Sequence, residues 1–479
     1  MFHRLDRHPW AWLGLGAIVL IMSQMRFGLG VFAWVAPVPW LHYLRLTRGT
    51  RSTAALGGVG LLAWSLATAK IVTDPVPLVM ALGFGLAFTI ALGVPYLAWS
   101  WIRRRVSEDA ASLAFPVFMV LGEWSLHGLL PFGVWGSAAD TQLDQLALLQ
   151  LASVTGVHGV SFLVYAVAAI LERGLSGERS SLRLGAGLVA TSLVATVAFG
   201  QARLALSSSA ATPTRLVAAV GTDSMVGATP GLPDRDRLAE VERGLVARTE
   251  RAAAAGATLV VWNEAAAMVY PSDEPAWLER LGTLAQRLRI DLVAAYVVPL
   301  QTEPLLYENK YVFFRPDGSI DHRYLKHEPV PGEPAVKGEG PMPLVEDAGQ
   351  GSVGGAICFD YDFPRLALAN AQHHADLVAL PSSDWRGIDP IHTHMAAVRA
   401  IESGHSILRS TRFGLSAGID PWGRIRGWSS HWDDDDHVLL VRLPRHGVQT
   451  VYGRAGDWFP LTCLLGGLAL VGLAIRRRS

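Results

Sequence analysis

The chain has 479 residues, of which 51% are hydrophobic and only 17% are charged. Soluble globular proteins carry about 25% charged residues, so much of this chain is not expected to face water, and a disordered or collagen-like chain is excluded. The 41 basic and 41 acidic side chains balance, which argues against nucleic acid as a partner because phosphate binding needs a basic excess. The two cysteines, Cys358 and Cys463, lie far apart in different surroundings, so no disulfide framework is expected.

The first 205 residues hold only 23 of the 82 charged side chains and consist mainly of apolar runs. A helix needs about 20 apolar residues to cross a bilayer. We therefore expect about eight transmembrane helices, seven in an N-terminal domain, 1–202, and the last in a C-terminal segment, 458–479, with a short basic tail. The runs lie near 10–25, 28–46, 53–72, 76–102, 112–130, 150–172, 184–201 and 459–475.

Basic residues cluster in the connections that follow an even number of these eight runs. The connections on the other side, around 73–75 and 131–149, contain no Lys or Arg. Because cytoplasmic loops collect basic residues, the N-terminus is predicted inside and the polar segment 203–457 outside the membrane. The clusters are Arg4 and Arg7; Arg45, Arg48 and Arg51; Arg103, Arg104 and Arg105; Arg173, Arg179 and Arg183; and Arg476, Arg477 and Arg478.

Two ionisable residues interrupt the fifth apolar run. Glu123 and His127 lie four residues apart, and therefore on one face of a helix, where their side chains could pair. Ionisable residues inside a membrane are costly and are often functional. The alternative is that both lie near the outer interface, close to Pro131, and only anchor or cap the helix.

The polar segment 203–457 alternates short apolar strands with amphipathic helical stretches, which is typical of an α/β sandwich. The Ser-rich stretch 207–209 indicates the linker that leaves the membrane. Strands are predicted at 216–223, 258–264, 291–300, 310–316, 352–360, 376–383, 406–412 and 438–444, and helices near 234–255, 275–288, 363–372 and 392–403.

Three residues at or after strand ends suit covalent catalysis: Glu264 in WNE, Lys326 in RYLKHEPVPGE and Cys358 in GGAICFDYDFP. A thiol forms an acyl intermediate only if a base removes its proton and a cation or amide donor stabilises the oxyanion. A carboxylate and an ammonium group can divide these tasks. A helix starting at DFP would further favour the thiolate.

In order and spacing, WNE, YLKHEPVPGE and ICFDYDFP resemble the Glu-Lys-Cys triad of the carbon-nitrogen hydrolase (nitrilase) superfamily. The seven preceding apolar runs and the segments FGLGVFAWVAPVPWLHYLR, LGEWSLHGLLPFGVWG and MAAVRAIESGHSILRSTRFGLSAGIDPWGRI extend the resemblance, over nearly the whole chain, to the apolipoprotein N-acyltransferase family. It implies an α-β-β-α sandwich for 203–457 beside the helical bundle. It also implies a multi-pass protein of the bacterial inner membrane, with the catalytic domain on the periplasmic side.

The resemblance implies a two-step acyl transfer without a cofactor. Glu264 would be the general base, Cys358 the nucleophile on a phospholipid acyl ester, and Lys326 the stabiliser of the oxyanion. The α-amine of a lipoprotein's diacylglyceryl-cysteine would then attack the thioester, and the enzyme would act as a monomer. Supporting positions in or near the site would be Asn309, Glu333, Asp360 and Trp385; for Glu333 a solvated loop carboxylate is the alternative.

A membrane-tethered hydrolase, or an acyltransferase with another amine acceptor, is the alternative function. It rests on Asn263 and Asp360, since the family usually has Pro before the base and Glu two residues after the nucleophile. A protein that keeps the fold without catalysis is argued against by the intact triad. No metal is expected, because His392 and His394 point to different faces of a helix and no ligand set of usual spacing completes them.

Overall fold

The computed structural model describes residues 6–178, 182–207, 213–222, 232–346 and 350–476. The chain divides into two compact units: Met1–Ser207 with Ala455–Ser479, and Ser208–Arg454. The expected linker beyond Ser207 and several of the basic residues used to predict the orientation lie outside the described residues: Arg4, Arg179, Arg477 and Arg478.

The first unit is helical throughout its described residues. The 23 residues of α5 form in an apolar run that is free of charge, and α6 begins at a capping serine, because the Ser107 hydroxyl group accepts the N–H of Ala110. The helices are α1 (Pro9–Ser23), α2 (Gly30–Ala33), α3 (Pro37–Leu46), α4 (Thr50–Ala69), α5 (Met80–Ile102), α6 (Glu108–Leu129), α7 (Leu146–Leu149), α8 (Ala152–Thr155), α9 (Val157–Leu175) and α10 (Leu182–Leu206), with α15 (Val451–Ala455) entering the unit and α16 (Trp458–Arg476) at its end.

Five of these helices, within the described residues, are long and apolar enough to cross a membrane: α4, α5, α9, α10 and α16. The expected number of about eight is therefore not reached. The first run forms only the 15 residues of α1, the second is divided between α2 and α3, and α6 carries Glu108, Asp109, Glu123 and His127 along its 22 residues. Of the five, α10 is the least covered by protein, with 6% of its apolar window buried.

Glu123 and His127 contact different partners in α6. The fully buried Glu123 carboxylate accepts the Tyr165 hydroxyl group at 2.7 Å and the backbone N–H of Ala138 at 2.8 Å. The His127 ring instead stacks on that of His158, with 5.3 Å between centroids. Glu123 therefore joins α6 to α9 and to the connection between α6 and α7.

The second unit is built from two sheets and four helices of nine residues or more. Its strands are β1 (Thr214–Val220), β2 (Leu259–Trp262), β3 (Ala267–Met268), β4 (Asp291–Thr302), β5 (Leu305–Phe314), β6 (Ile320–Leu325), β7 (Leu344–Val345), β8 (Val353–Gly355), β9 (Leu377–Ser383), β10 (Ser406–Arg412), β11 (Leu415–Ile419), β12 (Ile425–Ser430) and β13 (Val438–Pro444). Its helices are α11 (Arg235–Ala254), α12 (Glu274–Leu288), α13 (Pro364–Gln372) and α14 (Ile391–Ser403).

Both sheets are mixed, with parallel strands at their centres. The first sheet has the order β13-β1-β2-β4-β5-β6, with β3 beside β4, and the second has the order β12-β11-β10-β9-β8-β7. Strands β1, β2 and β4 are parallel, as are β8, β9 and β10. Because parallel strands end at the same edge, residues that follow β2, β8 and β9 are brought towards one another.

The helices cover the outer faces of the two sheets, which pack against each other. Apolar residues of α11 and α12, such as Leu245 and Trp277, share a buried cluster with Val260 and Tyr296 of the first sheet. Strands β1 and β2 contact β9 and β10 across the sandwich, and α14 contacts β10 and β11. These are the four layers, α-β-β-α, that the resemblance implies, and the site lies at the strand ends between the two sheets.

Candidate active site

Glu264 lies where the first sheet meets the second. It follows β2 by two residues, and its backbone N–H donates to the Ser382 carbonyl group of β9 at 3.2 Å. The residue is only 4% exposed. Its carboxylate is therefore withdrawn from water, and its backbone is held by the edge of the opposite sheet.

Lys326 places a buried ammonium group between two carboxylates. It directly follows β6, and its Nζ donates to Glu264 Oε1 and to Glu333 Oε2, each at 2.8 Å. Asn309 of β5 donates its amide to the same two carboxylates, at 2.7 Å to Glu264 and 2.9 Å to Glu333. The structure thus brings four of the seven predicted positions together, and Glu333 is no solvated loop carboxylate.

The charges in this cluster keep the lysine protonated. Burial by itself would lower the pKa of Lys326, but the facing carboxylates of Glu264 and Glu333 raise that pKa well above its ordinary value. Burial would raise the pKa of Glu333, yet Lys326, the amide of Asn309 and the backbone N–H of Val330 lower it. A full positive charge therefore remains beside Glu264.

Cys358 opens a tight turn between β8 and α13. It has a left-handed backbone conformation, with φ of 47°, which is uncommon for a residue with a side chain. Cys358 is the first residue of a 3₁₀ turn, Cys358–Asp362. The thiol donates to the Ser383 carbonyl group at 3.3 Å. The carbonyl group of Ser382, the preceding residue of β9, accepts the backbone N–H of Glu264. Consecutive carbonyl groups of β9 therefore bind Glu264 and the thiol.

The thiol is neutral in the resting site. Burial raises the pKa of Cys358 well above its ordinary value, Glu264 raises it further, and Lys326 lowers it only in part. A helix does begin at DFP, since α13 starts at Pro364, but in the resting state the cost of burying a thiolate outweighs what the helix end contributes. Ionisation has to be coupled to a base.

Asp360 fixes the turn rather than facing the Lys326 cluster. Its carboxylate accepts the backbone N–H groups of Ile357 and Glu328 at 2.9 and 2.7 Å, and the Tyr324 hydroxyl group at 2.8 Å. Trp385 lies after β9, half-buried, and its carbonyl group accepts the N–H of Ile388.

A second buried ionic network lies beside the thiol. Asp384, which follows Ser383, accepts two hydrogen bonds from the Arg409 guanidinium group at 2.8 and 3.0 Å. The His392 ring lies between two carboxylates, with Nδ1 2.7 Å from Asp384 and Nε2 2.8 Å from Asp362. On the basis of its spacing in the sequence, His392 is considered only as a metal ligand. The network could have been found only by knowing that β9 pairs with β10, which brings Asp384 and Arg409 together.

This network is an ion-pair cluster rather than a metal centre. Cys358, Asp384 and His392 each bring one potential ligand atom within 4.8 Å of the other two. Both ring nitrogens of His392, however, face carboxylates, and both oxygens of Asp384 accept N–H groups of Arg409. The atoms that would bind a metal are already engaged.

Comparisons with known proteins match both parts of the chain. Residues 16–170 match the family model of the apolipoprotein N-acyltransferase N-terminal domain, and residues 216–452 match that of carbon-nitrogen hydrolases. The apolipoprotein N-acyltransferase of Geobacter metallireducens is 28% identical over 100% of this chain and 97% of its own. That of Caulobacter vibrioides is 26% identical over 95% of this chain and 93% of its own.

Solved structures similar to this chain include an amidase and a carbon-nitrogen hydrolase. An amidase from Nesterenkonia sp. is 21% identical, with a TM-score of 0.40, over 50% of this chain and 92% of its own. A carbon-nitrogen hydrolase from Helicobacter pylori is 17% identical, with a TM-score of 0.39, over 48% of this chain and 90% of its own. With its N-terminal and hydrolase domains in the same order and over nearly the full length, the chain belongs to the apolipoprotein N-acyltransferase family.

Proposed function

We propose that this protein transfers an acyl chain from a membrane phospholipid to the N-terminal amine of a lipoprotein. The observation that carries the proposal is the buried Lys326 ammonium between Glu264 and Glu333, with the Cys358 thiol on the adjacent strand end. The curated relatives that match along their whole length bear the name apolipoprotein N-acyltransferase.

In the first step, Glu264 takes the proton of the Cys358 thiol as the sulfur attacks the carbonyl carbon of the phospholipid ester. The Lys326 ammonium stabilises the oxyanion that forms, which is where a fixed charge has its largest effect on rate. The tetrahedral intermediate collapses with cleavage of the ester C–O bond. The lysophospholipid alkoxide leaves with the proton held by Glu264, and the acyl group remains as a thioester.

In the second step, the α-amine of the lipoprotein's diacylglyceryl-cysteine attacks the thioester carbonyl group. Glu264 accepts a proton from the amine, and Lys326 again faces the oxyanion. The C–S bond breaks, the amide leaves, and the thiolate regains its proton from Glu264. Because the same carboxylate acts in both directions, one base serves both halves of the reaction.

Glu333 and Asn309 support this chemistry by holding Lys326 and Glu264. Glu333 keeps the ammonium charged and aimed, while the Asn309 amide occupies part of the hydrogen-bonding capacity of Glu264. When a base is held in one rotamer, little conformational entropy remains to be lost when it is oriented for reaction. We assign these two residues positioning roles. We also propose that the catalytic domain lies on the periplasmic side of the inner membrane.

The tethered-hydrolase alternative is less well supported. A hydrolase of small soluble amides has no need of the region that matches the acyltransferase N-terminal domain. Both proposed substrates carry acyl chains and reside in a bilayer, so a membrane-embedded unit on the same chain keeps the enzyme where they are concentrated.

The test is incubation of the purified protein with a phospholipid carrying a labelled acyl chain, followed by mass analysis of the Cys358 peptide. We expect an acyl thioester that disappears, with formation of a labelled amide, when a diacylated lipopeptide is added. Cys358→Ala should abolish labelling, and the matched control Cys463→Ala, which removes the other cysteine, should leave it intact. Absence of the thioester on folded protein would overturn acyl transfer, and release of free fatty acid without amide would favour hydrolysis.

A further inference from the structure

A chain of buried contacts connects the turn that begins at Cys358 with the end of β9. Asp362 lies in the turn that Cys358 opens, and its carboxylate faces His392 Nε2 at 2.8 Å. His392 Nδ1 faces Asp384 at 2.7 Å, and Asp384 directly follows Ser383, whose carbonyl group accepts the thiol. The imidazole ring therefore joins the turn that carries the sulfur to the strand end that orients it.

The ring carries two protons and a positive charge. A neutral imidazole has one N–H to donate, whereas both nitrogens of His392 lie within hydrogen-bond distance of carboxylate oxygens. Burial would lower the pKa of His392, but Asp362 and Asp384 raise it to about 9, against the opposing charge of Arg409. Arg409 Nη2 also approaches Nδ1 at 2.9 Å, but a carboxylate oxygen 2.7 Å from Nδ1 would repel its lone pair unless Nδ1 carried a proton.

Burial raises the pKa of Cys358 most, and the charged groups that face the thiol oppose one another. Glu264, after β2, and Asp384, after β9, raise this pKa further, while Lys326, after β6, and Arg409, of β10, lower it. The charge of the thiolate also acts on Arg412 of β10. Removing the imidazolium would take away a positive charge that offsets the Asp362 and Asp384 carboxylates, next to the atom that must become an anion.

We infer that His392 is a positioning residue for Cys358, which fixes the nucleophile turn against the end of β9 and neutralises the carboxylates beside the thiol so that the thiolate can form. The inference depends on the proposed function in one respect, that Cys358 is the nucleophile. It adds to the reaction a second ionic network, formed by Asp362, Asp384, His392 and Arg409.

The test measures how fast iodoacetamide alkylates Cys358 across pH 6 to 11, read by mass analysis of its peptide. The midpoint of this profile gives the pKa of the thiol, and no acyl donor or acceptor takes part. For His392→Gln, which removes the charge and keeps a hydrogen-bonding amide, we expect that midpoint to rise by at least about one unit. The matched control is His394→Gln, two residues along α14, which should leave the midpoint unchanged.

A double variant separates charge from structure. Asp362→Asn with His392→Gln removes one charge of each sign and leaves the Arg409–Asp384 pair intact, so the midpoint should recover at least half of the shift. Asp362→Asn alone leaves an excess positive charge and should lower the midpoint below that of the wild type. The prediction for Asp362→Asn alone can be tested even where His392→Gln does not fold.

An unchanged midpoint in His392→Gln, or a double variant shifted as far as the single one, would overturn the inference. Failure of the acyl-transfer proposal gives a different pattern, since the alkylation profiles would still shift as expected while no acyl thioester formed.

Discussion

The buried ammonium group of Lys326 pairs with two carboxylates at once. Lys326 is 1% exposed and donates to carboxylates on either side. Removing one partner of a buried ion pair is costly because the remaining charge has no water to solvate it. The lysine therefore offsets the negative charge of both Glu264 and Glu333, and in the proposed function it also faces the oxyanion.

We predict that Lys326→Met lowers the rate of Cys358 acylation from phospholipid by at least about 100-fold, the usual effect of losing an oxyanion donor. Methionine keeps the length of the side chain but leaves Glu264 and Glu333 facing each other, so one of them takes up a proton. The rate of thioester formation measures the effect. Lys337→Met, which removes an exposed lysine paired with Glu328, is the control, and wild-type acylation by Lys326→Met would contradict the assignment.

At the scale of elements, the turn after β8 depends on one carboxylate. The sequence predicts a strand over 352–360, but β8 ends at Gly355, because Asp360 accepts the N–H of Ile357 and folds the chain back. The strand signal in the apolar run GGAIC is thus overridden by a polar side chain three residues beyond Ile357. Local hydrogen bonding of this kind is not visible in hydrophobic periodicity.

We predict that Asp360→Asn destabilises the hydrolase unit by about 1–3 kcal/mol, since all three partners of the carboxylate are donors and an amide can accept on only one atom. Burial raises the pKa of Asp360 from 3.8 to about 6. A raised carboxyl pKa stabilises the fold below the ordinary value, and this contribution is lost as the pH rises through about 6. The difference in melting temperature between wild type and variant should therefore shrink between pH 4 and pH 7.

Thermal unfolding followed by tryptophan fluorescence measures this difference. Asp435→Asn, at an exposed position, is the control and should give the same melting temperature as the wild type at each pH. A difference that grows from pH 4 to pH 7 would contradict the role given to Asp360.

The sequence predicts long regular elements better than it predicts side-chain networks. Strands β4 and β10 and helices α11 and α14 lie where apolar periodicity places them, within two residues at most ends. Strands β11 and β12 were not predicted, because LSAGI and IRGWSS are short and interrupted by glycine. Glu264, Lys326 and Cys358 could be singled out because each lies in a distinctive motif, whereas the partners of His392 are 8 to 30 positions away and meet only through folding.

At the scale of the whole molecule, the number of spans decides on which side the catalytic unit lies. Four of the five long apolar helices precede it, and an even number would return the chain to the side on which it began. The three further segments expected to span, which correspond to α1, to α2 with α3, and to α6, would make the number seven. The predicted periplasmic location therefore depends on these shorter or more polar segments.

We predict that α6 crosses the membrane, which puts an odd number of spans between Thr50 and the hydrolase unit. A cysteine introduced at the exposed Ala247 of α11 should react with a membrane-impermeant maleimide in intact spheroplasts, and one at the exposed Thr50, at the start of α4, should react only after lysis. Both are made in a Cys463→Ala background, with the buried Cys358 retained. Labelling of Thr50→Cys before lysis, or of Ala247→Cys only after it, would reverse the orientation.

The two neighbouring carbonyl groups at the end of β9 connect both sheets at the site. Ser382 accepts the backbone N–H of Glu264 and Ser383 accepts the thiol, and the Cα atoms of consecutive residues are always about 3.8 Å apart. The segments that carry Glu264 and Cys358 are therefore anchored to one short stretch of strand, although they belong to different sheets. A substitution that displaces the end of β9 should therefore disturb both segments at once.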